Sequence, residues 1–193
     1  RLYVAGADVS YGLGSPDSAC CQVLDWRTGM HVASLYGKFP PEELIDRSVK
    51  LCERYNEAFL GVEENGVGQF AIRRLADTKY RAVYYRDWEE SQEQGKTPEK
   101  LGWHTGGANR PLIVAELGEA IHAGTLDSLD AETVKELCTF VHLKGKAQAA
   151  PGNRDDRVLA LAIAQQMRRL TFIAARASSG TMRQRNVPGI GRH

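Results

Sequence analysis

Leu2-Tyr3-Val4-Ala5-Gly6-Ala7-Asp8-Val9-Ser10 decides how this chain folds. Leu2 to Ala5 is a nearly continuous β-compatible run, which suits a strand covered on both faces. Asp8 is set into its far end. A carboxylate there costs free energy unless hydrogen-bond donors or a metal ion accompany it. The Ser10-Tyr11-Gly12-Leu13-Gly14-Ser15-Pro16 stretch that follows is permissive, so backbone or ligand can approach closely. Taken alone, Asp8 reads first as an ordinary strand-end residue capping a turn. The rest of the chain changes that balance.

Ala19 to Leu24 is a second strand and His31 to Tyr36 a third, joined by the turn Asp25-Trp26-Arg27-Thr28-Gly29. Short turns between three strands make an antiparallel meander. Pro40-Pro41 opens a helix with Glu42 and Glu43 in its first turn, where the dipole favours them. Ala58 to Glu63 is a fourth strand, Gln69 to Thr78 a helix, and Arg81 to Tyr85 a fifth strand. Alternating strands and helices imply parallel pairing with right-handed crossovers. The class is therefore α/β, with a mixed central sheet flanked by helices: strands one to three antiparallel, four and five parallel.

Periodicity fails from Arg86 to Asn109, a polar and glycine-containing loop of a length that is usually functional or mobile. Arg110-Pro111 starts a helix to about Ala123. A short strand or turn near Thr125-Leu126, a helix from Ala131 to about Leu137, a strand from Phe140 to Leu143 and a loop from Lys144 to Asn153 follow. The last long helix is expected to begin at Asn153 as N-cap, with Asp156 reaching back and Leu159, Ile163, Met167 and Leu170 on its apolar face. Residues 1–175 read as one domain and 176–193 as a basic, disordered tail.

The chain has 193 residues, enough for one domain with a sizeable core, and 42% hydrophobic with 25% charged residues is ordinary for a globular protein. No apolar run approaches the ~20 residues that span a bilayer. No signal peptide is expected from the first residues, and a chain opening straight into a core strand suggests a domain cut from a longer protein. Cys20, Cys21, Cys52 and Cys138 form no CxxC pair and read as buried free thiols of a reducing compartment. All 24 acidic residues lie at or before Asp156, while Arg157, Arg168, Arg169, Arg176, Arg183, Arg185 and Arg192 follow it. A basic end beside a carboxylate-rich body suits a metal-dependent enzyme acting on a polyanion, and equally a solubilising tail.

Acids stand at the ends of otherwise apolar elements in three places: Asp8, Glu63-Glu64, and Asp155-Asp156. With strands one and four as parallel neighbours, Asp8 and Glu63 emerge side by side, and the final helix brings Asp155 and Asp156 to the same edge. Strand alternation favours Glu63 over Glu64 for that site. For Asp155 and Asp156 a plain helix-dipole role is the alternative. Gathered carboxylates raise one another's pKa, and divalent cations remove the conflict. Oxygen ligands with spare water positions suit Mg²⁺ or Mn²⁺, and two such ions ~4 Å apart cleave phosphodiesters.

The ordered set GADVSYG (residues 6–12), VEENGVG (62–68) and GNRDDRVLALAIA (152–164) resembles the nuclease domain of the large terminase subunit of tailed bacteriophages. Val23-Leu24-Asp25 with Thr28-Gly29, Tyr55-Asn56, Gly102-Trp103-His104-Thr105 and Arg110-Pro111 look like the same family. The resemblance implies an RNase H-like fold and a metal-dependent endonuclease that cuts concatemeric viral DNA during packaging. It implies Asp8, Glu63 and Asp155 or Asp156 as catalytic metal ligands for two Mg²⁺ or Mn²⁺ ions. Arg154 departs from it, since relatives often carry His before the paired aspartates. The implied partners are double-stranded DNA, the terminase ATPase domain, the small terminase subunit and the portal protein, in the cytoplasm of the infected bacterial host, not secreted. No GxxxxGK[ST] loop is present for ATP.

Lys144, Lys146, Arg154 and Arg157 lie near the proposed site in sequence and read as phosphate contacts or as solvated loop charges. Trp88, Trp103 and His104 read as packing residues. Three competitors stand beside the nuclease: an actin-like or sugar-kinase-like ATPase half, whose second phosphate loop is missing; a Holliday-junction-type resolvase of related fold; and a non-catalytic docking module in which the acids merely cap elements.

Overall fold

In the computed structural model, which describes residues 2–14, 17–97, 99–143 and 146–184, strand β1 (Tyr3–Asp8) is the axis of the sheet. Every residue of it after Tyr3 is buried, as its apolar run requires. It pairs antiparallel with β2 (Ala19–Asp25) on one side and parallel with β4 (Phe59–Val62) on the other. β2 pairs antiparallel with β3 (Met30–Gly37), and β3 pairs parallel with the two-residue β5 (Asp127–Ser128). The sheet order is β4-β1-β2-β3-β5. Together with its flanking helices this is the expected mixed α/β architecture.

Alternation along β1 divides the core in two. Ala5 and Ala7 face a cluster with Ile45 and Cys52 of α1 (Pro41–Arg54) and Ala71 and Leu75 of α2 (Gly68–Asp77). Val4 faces the other way, into a cluster with α4 (Arg110–His122) and α6 (Asp156–Gln184). The helices α3 (Trp88–Glu93) and α5 (Ala131–Cys138) complete the set.

The approach of α6 to β1 and β4 depends on glycine. A Cβ at Gly6 would stand 2.3 Å from the Ala160 carbonyl oxygen and the Ala164 nitrogen. Its cross-strand partner Gly61 faces Met167, whose sulfur would lie 2.7 Å from a Cβ there. Helix backbone therefore rests on strand backbone, and this fixes where the helix start meets the ends of β1 and β4.

Several boundaries differ from the sequence reading. Arg81–Tyr85 is not a regular strand. Val83 forms a parallel bridge with Leu60, but its N–H turns back to the Arg81 carbonyl and bends the chain. The fifth strand of the sheet is Asp127–Ser128 instead. Within the expected Lys144–Asn153 loop, β7 (Lys146–Ala149) pairs antiparallel with β6 (Phe140–Leu143). The long 86–109 segment holds α3 and is tied down by bridges from Tyr85 to Leu101 and Gly102 and from Glu63 to Trp103. Helix α6 begins at Asp156: Asn153 spends its N–H in a turn on Ala150, and the Asp155 carbonyl accepts from Leu159, so Asp155 takes the N-cap place. The helix continues to Gln184, past residue 175, and residues 185–193 lie outside the described residues. Cys20, Cys21 and Cys52 are buried, but Cys138, at the end of α5, is exposed. Among the described residues no helix is long and apolar enough to cross a membrane.

Candidate active site

The pairing of Ala7 with Val62 carries the next two residues, Asp8 and Glu63, out side by side, and the Glu63 N–H donates to the Ala7 carbonyl at 2.9 Å. Asp8 is buried, with 8% of its surface exposed. Burial, then the negative charge of Glu63 and a side-chain hydrogen bond with it, then Asp156 and Asp155, push the Asp8 carboxyl well above the usual range. Burial beside a second carboxylate therefore disfavours the charged form of Asp8 until positive charge is brought to it.

Asp156, in the first turn of α6, is also buried. One of its carboxylate oxygens accepts the Ser18 N–H at 3.1 Å and the Tyr36 hydroxyl at 3.4 Å. Burial raises its pKa against the lowering by Ser18, with Asp17 and Asp155 adding to the rise. Asp155 is half-buried and forms an ion pair with Arg110, Nη2 to Oδ2, at 2.5 Å. The cluster thus draws on β1, β4 and α6. Its electrostatics link all four acids, because Asp8 responds to each of the other three.

These acids do not form a finished ligand cage. Among the described residues no three His, Cys, Asp or Glu side chains converge on a point suited to a metal ion. Each acid is engaged elsewhere: Asp8 and Glu63 with each other, Asp156 with Ser18 and Tyr36, Asp155 with Arg110. The donor set is nonetheless all carboxylate oxygen, which fits a hard dication.

Glu64 lies outside the cluster. Its side chain pairs with Arg86 and accepts from His104 Nδ1 at 3.0 Å, on the face opposite Glu63. Trp103 packs in the core beside Tyr84, ring centroids 5.5 Å apart. Arg154 is exposed and donates to Ser18 Oγ at 2.7 Å. Arg157 is enclosed: its guanidinium stacks 3.7 Å over the Tyr36 ring and pairs with Glu136 and Asp130. A groove of about 270 Å³ beside them is lined by Tyr36, Lys135, Thr139, Asn153, Arg154 and Arg157, among others. Lys144 lies outside the described residues, and Lys146 is described only as a strand position in β7.

Sequence reasoning missed Arg110, Ser18 and Tyr36. Arg110 stands 45 residues from the acid it pairs with, and in the sequence it read as a helix start and part of the family resemblance, not as a partner of the acids. Ser18 acts through its backbone N–H, which no residue pattern announces.

No protein-family model matches the sequence, and no curated protein matches it. Solved structures do. The large terminase nuclease of the thermophilic phage G20c with bound magnesium superposes with a TM-score of 0.63 at 20% identity, over 84% of this chain and 79% of that one. The large terminase nuclease domain of Thermus phage P74-26 gives 0.57 at 21% identity, over 84% and 77%. The human cytomegalovirus terminase nuclease domain, manganese-soaked and inhibitor-bound, gives 0.53 at 9% identity, over 86% and 82%. With its mixed sheet, its parallel β1–β4 pair and its flanking helices, this chain has the RNase H-like fold of the large-terminase nuclease domains.

Proposed function

We propose that this chain is a divalent-metal-dependent endodeoxyribonuclease that cuts concatemeric viral double-stranded DNA during genome packaging. The observation that carries the reading is the meeting of Asp8, Glu63, Asp155 and Asp156, which are far apart in the chain, at one edge of an RNase H-like sheet. Burial and mutual repulsion make that edge intolerant of full ionisation without added positive charge. The magnesium-bound and manganese-soaked states of the fold relatives support the same chemistry.

Asp8, Glu63, Asp155 and Asp156 would hold the metal. Two Mg²⁺ or Mn²⁺ ions bound there supply an activated water and a counter-charge for the leaving oxygen. The Ser18 N–H would keep Asp156 oriented toward such an ion, and the added positive charge would favour the ionised form of the buried Asp8. Arg154, exposed at the groove, offers a phosphate contact, and Lys144 and Lys146 are proposed for the same role from sequence position. Arg157, held by Tyr36, Glu136 and Asp130, steadies the groove wall more than it meets DNA. Such contacts give affinity without base choice. The ATPase domain, small terminase subunit and portal protein are the proposed partners, in the cytoplasm of the infected bacterium.

Nicking of supercoiled plasmid in Mn²⁺ tests this. Wild type is expected to nick, and Asp8→Ala to lose the activity. No nicking by wild type, or equal nicking by both, refutes the proposal. Strong preference for four-way junctions over linear duplex redirects it to a resolvase.

A further inference from the structure

We propose that Arg110 is the site's own exchangeable counter-cation. It neutralises Asp155 while no divalent ion is bound, and turns to a DNA phosphate once one is. The inference rests on the nuclease reading above and adds to it a DNA-positioning residue from α4.

Arg110 stands at the first position of α4 and reaches across to Asp155 at the start of α6. The two helices are locked together. Ile113, Val114, Leu117 and Ala120 of α4 are buried in the same cluster as Val158, Leu161 and Ala162 of α6. Glu116 accepts from Gln166 Nε2 at 2.7 Å and pairs with Arg169. Before α4, Asn109 binds the His104 carbonyl and the Gly106 N–H, each at 2.6 Å. The backbone of Arg110 is therefore fixed relative to Asp155, and only its side chain is free to move.

The ion pair is accessible, with side-chain exposures of 35% for Arg110 and 27% for Asp155. Water screens it, so exchange costs little. Asp155 cannot serve a guanidinium and a dication at full strength together, because each needs the same carboxylate oxygens. The released guanidinium is a planar fork that matches phosphate oxygens, and its fixed backbone keeps it beside the acids that would hold the metal.

Isothermal titration of the full chain with Mn²⁺, together with metal-free melting and binding of a short duplex in Ca²⁺, tests the exchange. In Arg110→Ala the metal-free Tm is expected to fall. Mn²⁺ is expected to bind up to about fivefold more tightly, the scale of a partly exposed ion pair. Duplex binding is expected to weaken several-fold. Arg110→Gln keeps side-chain length without charge and should behave alike, which guards against a folding defect. A purely structural arginine would lower Tm and leave Mn²⁺ affinity unchanged. If wild type takes up Mn²⁺ and neither variant binds it more tightly, the Arg110 inference alone falls. If wild type takes up no Mn²⁺, the nuclease reading falls and takes this inference with it.

Discussion

Replacing Gly6 by alanine tests whether strand and helix backbones set the site. The added Cβ would sit 2.3 Å from the Ala160 carbonyl oxygen and the Ala164 nitrogen and 2.9 Å from the Ile163 carbonyl carbon. Ordinary contact begins at 3.4 Å, so α6 must lift by about 1 Å. No side chain can rotate away, because every atom in the way is backbone. Overpacking of a core costs ~1–3 kcal/mol when side chains can adjust, so about 3 kcal/mol or more is expected here. The lift also strips dispersion contacts from Ala160, Leu161, Ala162, Ile163 and Ala164, all essentially buried. Urea unfolding followed by circular dichroism reads the loss as a midpoint lower by roughly 1–2 M at a typical slope. Nicking should fall by roughly 100-fold, since Asp155 and Asp156 move with the helix. Gly118→Ala is the control. Gly118 lies within α4 and a Cβ there meets nothing within 4 Å, so alanine should stabilise by ~0.5–1 kcal/mol. Gly6→Ala within about 1 kcal/mol of wild type would refute the backbone-contact account.

Asp8→Asn is expected to raise the metal-free Tm. The folded Asp8 pKa lies above its unfolded value, so its favourable contribution is complete below about pH 3.9 and is lost as pH rises through the folded value. The Tm gap between mutant and wild type should widen with pH over that window, and a constant or inverted gap in differential scanning calorimetry would contradict it. Thr133→Val strands the fully buried Gln22 amide, whose Nε2 donates to Thr133 Oγ1 at 3.1 Å, and should cost about 1–3 kcal/mol in urea unfolding. Glu64→Gln should leave plasmid nicking intact, because Glu64 pairs with Arg86 and His104 away from the Asp8 cluster; loss of nicking would move Glu64 into the site.

The parallel approach of β1 and β4 was legible because both are short apolar runs ending in an acid, and only parallel neighbours bring such ends together. The choice of Glu63 over Glu64 followed from strand alternation, and the structure has Glu63 beside Asp8. What escaped depends on pairing partners distant in sequence. Arg81–Tyr85 has strand-like composition, yet the turn of Val83 onto Arg81 leaves it a single bridge to β4. Lys146–Ala149 has no apolar run, and its strand exists because Phe140–Leu143 supplies the partner edge. Asn153 is a good N-cap by type, but the chain turns at Ala150–Asn153 and hands that place to Asp155. The hold of Arg110 on Asp155 has no local signature at all.

The two borders of the sheet bear on how the molecule behaves in concentrated solution. On one side, β5 is only two residues long and begins with an exposed aspartate. On the other, β4 already spends backbone groups on neighbouring segments: Leu60 bonds Ala82 and Tyr84, and the Val62 carbonyl accepts from Trp103. The β4 border is thus largely closed to another copy's strand, whereas β3 runs on from Val32 to Gly37 past the two residues that β5 pairs, so that side is where strand addition between copies would begin.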